Sequence, residues 1–196
     1  MPYDAMTDRA DEELLAAYAR GDAAAARALT LRLTPRVFAH ALRMLGGDRT
    51  EAEDVTQEAL LRLWRAAPGW RPGEAQVRTW LYRVTANLCI DRLRRRRRGG
   101  PALDALPEPV DDRPSASEAM QTRARADALQ QALDRLPERQ RQAVILRHLE
   151  GLSNPEIAQI MDIGPRAVES LTARGKRMLE TLLAGRREEL GYQDDG

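Results

Sequence analysis

The sequence predicts an all-α fold of two small helical domains joined by a flexible linker, with a helix-turn-helix in the second domain. Apolar residues recur at helical spacing in several long segments, and no alternating strand pattern of useful length occurs. The content of Ala, Leu, Arg and Glu also favours helices. The expected boundaries are 11–98 for the first domain, 99–122 for the linker and 123–184 for the second domain.

The first strong helical pattern runs from Glu51 to Ala66 and combines a wide apolar arc with a polar arc. The polar arc consists of Asp54, Gln57, Glu58, Arg62 and Arg65. Leu61 lies on the same arc, and an apolar residue surrounded by polar ones is typical of a helix that docks on another protein. A single exposed leucine is also common on ordinary surfaces, so the residues alone leave both interpretations open.

The next helical pattern begins at Val77 and continues into Asp91–Arg98, where six arginines stand beside one aspartate. Blocks of like charge often contact nucleic acid, and the formal net charge of +1 for the whole chain conceals this block. Arg83, Asn87 and Arg94 share one flank, so the helix can both hold phosphates and bond to base edges. The alternative is a basic tail that only solubilises or localises the protein.

Residues 99–122 are rich in Pro, Ala, Gly and Ser, and this composition predicts the linker. Fully extended, they span at most about 80 Å, which would let the two domains occupy DNA sites about two turns apart. The acidity of the segment suggests either that it avoids the duplex or that it masks the arginines when no DNA is bound. The acidic residues considered for that role are Asp104, Glu108, Asp111 and Asp112.

The segment from Leu152 to Leu183 predicts a helix-turn-helix, which makes double-stranded DNA the leading partner. Ser153 and Glu156 fit a capping box at the start of its first helix, and Pro165 fits the first position of its second helix. One side of the second helix is apolar. The opposite side carries Arg166, Ser170, Ala173, Arg174 and Arg177. Arginines separated by small residues can approach a major groove, whereas an ordinary solvated helix face is the alternative.

Composition excludes several classes of protein. No apolar run approaches the roughly 18 residues that span a bilayer, and the acidic start lacks a signal-peptide core, so we expect a cytoplasmic protein. One cysteine, Cys89, and two histidines offer no convincing zinc cluster, and no phosphate loop or nucleophile motif occurs. We therefore expect no cofactor, no metal, no small-molecule substrate and no enzymatic activity.

These features, taken in chain order, resemble a known pattern. The helix EAEDVTQEALLRLW, the helix TWLYRVTANLCIDRLRRR, the acidic linker and the helix-turn-helix closely resemble the extracytoplasmic-function sigma factors of bacterial RNA polymerase. These are short members of the sigma-70 superfamily, and the resemblance covers about residues 11–184. It implies that the chain binds core RNA polymerase and directs promoter recognition, DNA melting and transcription initiation. It also implies control by an anti-sigma factor, which is often anchored in the membrane.

The resemblance implies roles for individual residues. The positions that fall where the family docks on a coiled coil of the polymerase large subunit are Asp54, Gln57, Glu58 and Leu61. The positions on the helix that reads and melts the minus-ten element are Arg83, Asn87 and Asp91, with Arg94 on the same flank. The positions on the helix that meets the minus-thirty-five element are Arg166, Ser170, Arg174 and Arg177.

Two parts of the pattern leave questions open. The loop Pro68–Gln76 resembles the loop that captures an extruded base, and Trp70 could stack on that base for about 1 to 3 kcal/mol or could cap the small core instead. In the helix-turn-helix, Asp162 stands where Gly is common and Gly164 where a Ser cap is common, and both are compatible with the fold. Glu169 and Leu171 stand near positions where the family has basic residues, which leaves base preference open.

Two other classes of function compete with this interpretation. A sigma-like decoy would sequester a regulator without touching DNA, but the dense arginines and the complete second helix argue against it. An ordinary helix-turn-helix repressor or activator would leave the docking helix and the first basic helix unexplained.

Overall fold

The computed structural model describes residues 9–71, 73, 76–98 and 116–184. Within these ranges the chain is helical without a strand, which confirms the predicted all-α class. The helices are α1 (Asp11–Ala19), α2 (Ala23–Met44), α3 (Arg49–Ala66), α4 (Val77–Arg98), α5 (Ala116–Asp134), α6 (Glu138–Val144), α7 (Asn154–Met161) and α8 (Pro165–Ala184). A 3-10 turn, Ala67–Gly69, follows α3, and a π-helical turn, Ile145–Leu149, follows α6. We call α1–α4 the first domain and α5–α8 the second domain.

The first domain forms because α2 and α3 are well capped and bury continuous apolar stripes. Asp22 accepts hydrogen bonds from the backbone N–H groups of Ala24 and Ala25, and Asp48 accepts one from Glu51. These bonds satisfy donors that a helix start leaves free. The core beneath contains Leu14, Leu15, Leu29, Leu33, Leu63, Val77 and Leu81.

A second apolar cluster is shared by the two domains. Met44, Leu45 and Cys89 of the first domain pack in one group with Leu136 and Ile145 of the second. Two small domains joined by a flexible linker were expected to have separate cores, and this shared cluster differs from that expectation. The reason is that the C-terminal half of α2 and the middle of α4 carry more apolar surface than the first domain alone covers.

The second domain builds a helix-turn-helix on a third cluster. Ile157, Ile160 and Met161 are buried, and Ser153 and Glu156 form the expected capping box. Asp162 ends α7 in the left-handed conformation at φ 52°, and α8 then begins at Pro165. The sequence therefore predicted correctly the capping residues of the first helix and the residue at which the second helix begins.

Gly175 lets α8 approach α6 closely. A Cβ atom at this position would lie 2.6 Å from Val144 Cγ2 and 3.3 Å from the carbonyl oxygen of Gln140. Real Cβ atoms essentially never lie 2.6 Å from another heavy atom, and 3.3 Å from a backbone oxygen is already tight, so a side chain at this position would push α8 away from α6.

The predicted linker, residues 99–122, overlaps a helix at its end. Helix α5 begins at Ala116, so residues 116–122 are helical, in keeping with the high helix propensity of Ala, Glu, Met and Gln. The acidic positions considered for masking, namely Asp104, Glu108, Asp111 and Asp112, lie outside the described residues.

Two titratable groups are buried beside the shared cluster. The His40 ring is fully buried against the edge of Tyr82, at 5.2 Å between ring centroids, and neither ring nitrogen has a hydrogen-bond partner among the described residues. Burial lowers the pKa of His40 to about 3, and the charge of Arg43 adds to this effect. Burial likewise raises the pKa of the Cys89 thiol to about 12. Cys89 packs inside the shared cluster.

We expect His40 to make the protein less stable in mild acid. The unfolded chain binds a proton at His40 below pH 6.5, whereas the folded protein does not until the pH approaches about 3. The free energy of unfolding should therefore fall by about 2 kcal/mol between pH 6.5 and pH 5, since each unit contributes about 1.4 kcal/mol. Urea unfolding of wild type and His40→Leu at several pH values measures this contribution. His148→Gln, at the exposed second histidine, should keep most of the dependence, and an equally steep loss in His40→Leu would contradict the assignment.

Candidate polymerase and nucleic-acid interfaces

The predicted docking residues lie together on the outer face of α3. Asp54, Gln57 and Leu61 are exposed and Glu58 is half-buried, because Ala52, Val55, Ala59 and Leu63 turn the opposite face into the core. Leu61 keeps 41% of its surface exposed. These four residues line a groove between α3 and α4, whose other wall is formed by Leu88, Asp91, Arg92 and Arg95. We call Asp54, Gln57, Glu58 and Leu61 the docking patch.

The docking patch is acidic around its apolar centre. Arg62 Nε donates to Glu58 Oε1 at 2.8 Å, and this hydrogen bond lowers the pKa of Glu58 below its usual range. The carboxylate therefore stays charged at neutral pH. A leucine with charged neighbours offers a partner both an apolar contact and electrostatic orientation.

The predicted minus-ten residues form a stripe along the solvent side of α4. Arg83, Asn87, Asp91 and Arg94 are all exposed, and among the described residues none of them has a hydrogen bond or ion pair. The opposite side of α4 is buried, which fixes the direction of the stripe. Its polar groups remain available for phosphate and base contacts. We call these four residues the α4 stripe.

The arginine block at 92–98 has two kinds of member, which sequence reasoning did not separate. Arg92 binds Glu51 and lies 3.6 Å from Asp54, so it ties α4 to α3. Arg96 makes the same connection to Asp48 at 2.5 Å.

A further arginine of the block reaches the second domain. Arg97 pairs with Glu138 at 3.1 Å, whereas Arg94, Arg95 and Arg98 are exposed and form no such pair in the described part of the chain. The signal that could have revealed this division is the acidic spacing of Asp48, Glu51 and Asp54 along the start of α3.

Trp70 lies against the first core. Its ring meets Trp80 edge-on, with 5.7 Å between ring centroids. The residue as a whole is half-buried, but its Nε1 is buried and has no hydrogen-bond partner in the described ranges. This geometry favours the capping alternative, while capture of a base by Trp70 stays a prediction. Residues 72, 74 and 75 of the same loop lie outside the described residues.

The predicted minus-thirty-five residues are exposed along α8. Val168 and Gly175 are buried on the opposite side, so the exposed face of α8 carries Arg166, Ser170, Arg174 and Arg177. We call these four residues the α8 face. Arg174 Nε donates to the backbone carbonyl of Ser170 at 3.2 Å, which holds its guanidinium along the helix.

Glu169 is turned towards α7. Its Oε1 accepts a hydrogen bond from Asn154 Nδ2 at 3.4 Å, so the carboxylate has a partner other than a neighbouring arginine or a base. The replacement of a basic residue here is therefore compatible with a basic α8 face.

Two family matches cover most of both domains. Sigma-70 region 2 matches residues 29–99, and Sigma-70, region 4 matches residues 126–179. The order of these regions, the exposed α4 stripe and the helix-turn-helix together define a transcription initiation factor of the sigma-70 type.

Similarity to individual proteins indicates which group of sigma-70 factors the chain resembles. The chain is 35% identical to the ECF RNA polymerase sigma factor SigM of Mycobacterium tuberculosis, over 90% of this chain and 86% of that protein. It is 39% identical to SigE of Mycolicibacterium smegmatis, over 76% of this chain, but spans only 58% of SigE. The structure of CnrH in complex with the cytosolic domain of CnrY matches 90% of this chain, with a TM-score of 0.66 and 26% identity.

The chain belongs to the family of ECF RNA polymerase sigma factors. As a sigma factor it binds core RNA polymerase and promoter DNA and directs transcription initiation. Sigma factors are initiation factors rather than catalysts. In the part of the chain that the structure describes, no helix is long and apolar enough to cross a membrane, and no group of three or more His, Cys, Asp or Glu residues is placed to hold a metal ion.

We expect that the arginines of α4 with an ion-pair partner stabilise the fold, and that the exposed arginines without one contribute little to the free energy of unfolding. Arg96→Gln should lower the free energy of unfolding by about 1 kcal/mol, because it removes a partly buried ion pair at the cap of α3. Arg95→Gln removes the same charge from an exposed position and should stay within about 0.5 kcal/mol of wild type. Urea denaturation compares the two variants, and equal losses would show that the pairing of Arg96 contributes nothing.

Proposed function

We propose that the docking patch binds core RNA polymerase and that the α4 stripe reads and opens the minus-ten element beside it. The observation that carries this proposal is the groove between α3 and α4. Asp91 of the α4 stripe lies in the same groove as the docking patch, so docking would place the stripe at the polymerase surface. Polymerase binding would thus position the helix that meets the DNA.

The chemistry of the α4 stripe suits DNA opening. A protein without a motor can separate strands only by binding the unpaired strand more tightly than the duplex. Arg83 and Arg94 offer charge for phosphates, whereas Asn87 and Asp91 offer hydrogen bonds that depend on the base. In this proposal the stripe offsets the few kcal/mol of unstacking, and Trp70, which packs against Trp80 of α4, is a further candidate for base stacking.

The α8 face is proposed to contact the minus-thirty-five element in the major groove. Four exposed polar side chains lie on one side of a helix that follows a capped partner and a tight turn, which is the arrangement that presents a helix to base edges. Arg177 lies one turn beyond Ala173, whose small side chain lets the backbone approach the groove.

We further propose that an anti-sigma factor covers the docking patch until a signal removes it. The solved structure of CnrH contains the cytosolic domain of CnrY, and CnrH resembles this chain over both domains. Such a factor could hold the protein, otherwise cytoplasmic, at the inner membrane. The chain is proposed to have no enzymatic activity, no cofactor and no small-molecule substrate.

Run-off transcription on genomic fragments with purified core RNA polymerase tests the function. We expect transcripts from defined start sites only when the protein is present. Leu61→Asp should abolish core binding and transcription, because the new carboxylate would be buried against an apolar surface of the polymerase when the two bind. Leu31→Asp makes the same change at an exposed position of α2 and should retain activity. Absence of transcripts with wild type from every fragment would overturn the proposal.

Arg177→Ala tests the α8 face on a promoter mapped in this way. Holoenzyme carrying this variant should bind that promoter about 1 to 3 kcal/mol more weakly if Arg177 contacts a base. The loss should shrink on a duplex whose minus-thirty-five element is replaced. Lys176→Ala removes a neighbouring charge that pairs with Glu180, away from the α8 face, and is the matched control. An identical loss on both duplexes would remove Arg177 from the base-reading residues.

A further inference from the structure

Glu150 joins the two domains. It follows the π-helical turn, and its side chain is only 7% exposed. Its carboxylate accepts hydrogen bonds from Arg43 Nη1 at 3.2 Å and from the Tyr82 hydroxyl at 2.5 Å. Its backbone carbonyl accepts from Arg78 Nη2 at 2.5 Å. Three donors of the first domain therefore converge on one residue of the second.

The side chain of Glu150 serves the contact between domains rather than the fold of its own domain. Among the described residues its carboxylate bonds only to the first domain, while its backbone N–H continues the turn by donating to Ile145. Removing the carboxylate therefore leaves the helix-turn-helix intact. It would leave Arg43 and Tyr82 without their partner.

The apolar contacts and the buried carboxylate have different roles at this interface between the domains. The shared cluster around Met44, Cys89 and Ile145 is attractive but not directional, so it does not fix one arrangement by itself. A nearly buried carboxylate with defined donors tolerates only one geometry, and losing its partners is costly. Burial, and then the hydrogen bond to Glu150, raise the pKa of Tyr82, so its hydroxyl stays a donor at neutral pH.

The closed arrangement limits how far apart the DNA-facing surfaces can lie. A compact chain of 196 residues has a radius of gyration of about 16 Å, hence a width of about 40 Å. Elements centred at minus ten and minus thirty-five are about 25 base pairs apart, which is about 85 Å of duplex at roughly 3.4 Å per pair. The α4 stripe and the α8 face cannot reach both elements while the domains stay together.

We propose that Glu150 is a clasp that holds the free protein in a closed form unable to span a promoter, and that binding to core RNA polymerase opens it. The part of this inference that concerns the polymerase rests on the proposed function. The docking patch is exposed in the closed form, so polymerase can bind the first domain before the clasp opens. Residues 99–115 then limit the distance between Arg98 and Ala116 to about 60 Å, which permits the separation.

Distance measurements on the free protein test the clasp. Spin labels at Leu31→Cys on α2 and Lys176→Cys on α8 report the separation of the domains, because both positions are exposed and Lys176 lies away from the α8 face. Cys89 lies in the shared cluster, which opening would expose, so every sample also carries Cys89→Ala to prevent a third label. Double electron–electron resonance should give one narrow, short distance for otherwise wild-type protein. Glu150→Ala should raise the ratio of open to closed molecules at least about 10-fold and broaden the distribution to longer distances.

Two further variants make the test specific. Tyr82→Phe removes one hydrogen bond to Glu150 without a change in packing volume and should open a smaller fraction of molecules. Glu180→Ala removes an exposed carboxylate of α8 and should match wild type. Circular dichroism confirms that each variant is folded. A narrow, short distance in Glu150→Ala, or a broad distribution already in wild type, would overturn the clasp.

Addition of core RNA polymerase separates this inference from the proposed function. We expect the wild-type distance to lengthen on the polymerase while run-off transcription proceeds. An unchanged short distance in an active holoenzyme would overturn opening by polymerase and leave the proposed function standing. If the distances in the free protein are as expected but no transcription is seen, the proposed function alone is overturned.

Discussion

Burial of α4 on three sides is the constraint on which the rest of the structure depends. Val77 and Leu81 complete the first core, Cys89 enters the shared cluster, and Tyr82 packs with the helix-turn-helix scaffold. Only one side of the helix is left for solvent, and that side is the α4 stripe. The same packing therefore orients the surface for DNA and brings the second domain against the first.

The arginines at the end of α4 have two different roles, although they are the same residue type in one short segment. Arginines that face α3 find carboxylates and hold two helices in register, as Arg92 and Arg96 do. Arginines that face solvent keep their charge for phosphates, as Arg94 does. Which purpose an arginine serves follows from its angle around the helix, because residues two positions apart lie on opposite sides.

Local chemistry made much of this fold predictable. The capping box at Ser153, the turn at Asp162 and the start of α8 at Pro165 are set by neighbours in the chain, and the buried stripes follow from helical spacing. Contacts between distant segments were not predictable in the same way. Nothing near Glu150 in the sequence indicates that Arg43, more than a hundred residues earlier, lies within hydrogen-bond reach. The docking patch, the α4 stripe and the α8 face were predicted as exposed sets, whereas their roles came from the resemblance to a family.

The position of the single cysteine has a consequence for how this protein can respond to oxidants. A thiol reacts with peroxide as the thiolate and only where the oxidant can reach it. Cys89 has no exposed surface and a raised pKa, so it is both protonated and shielded in the closed protein. The single sulfhydryl group of the chain is therefore not an accessible sensor of oxidants in the closed protein.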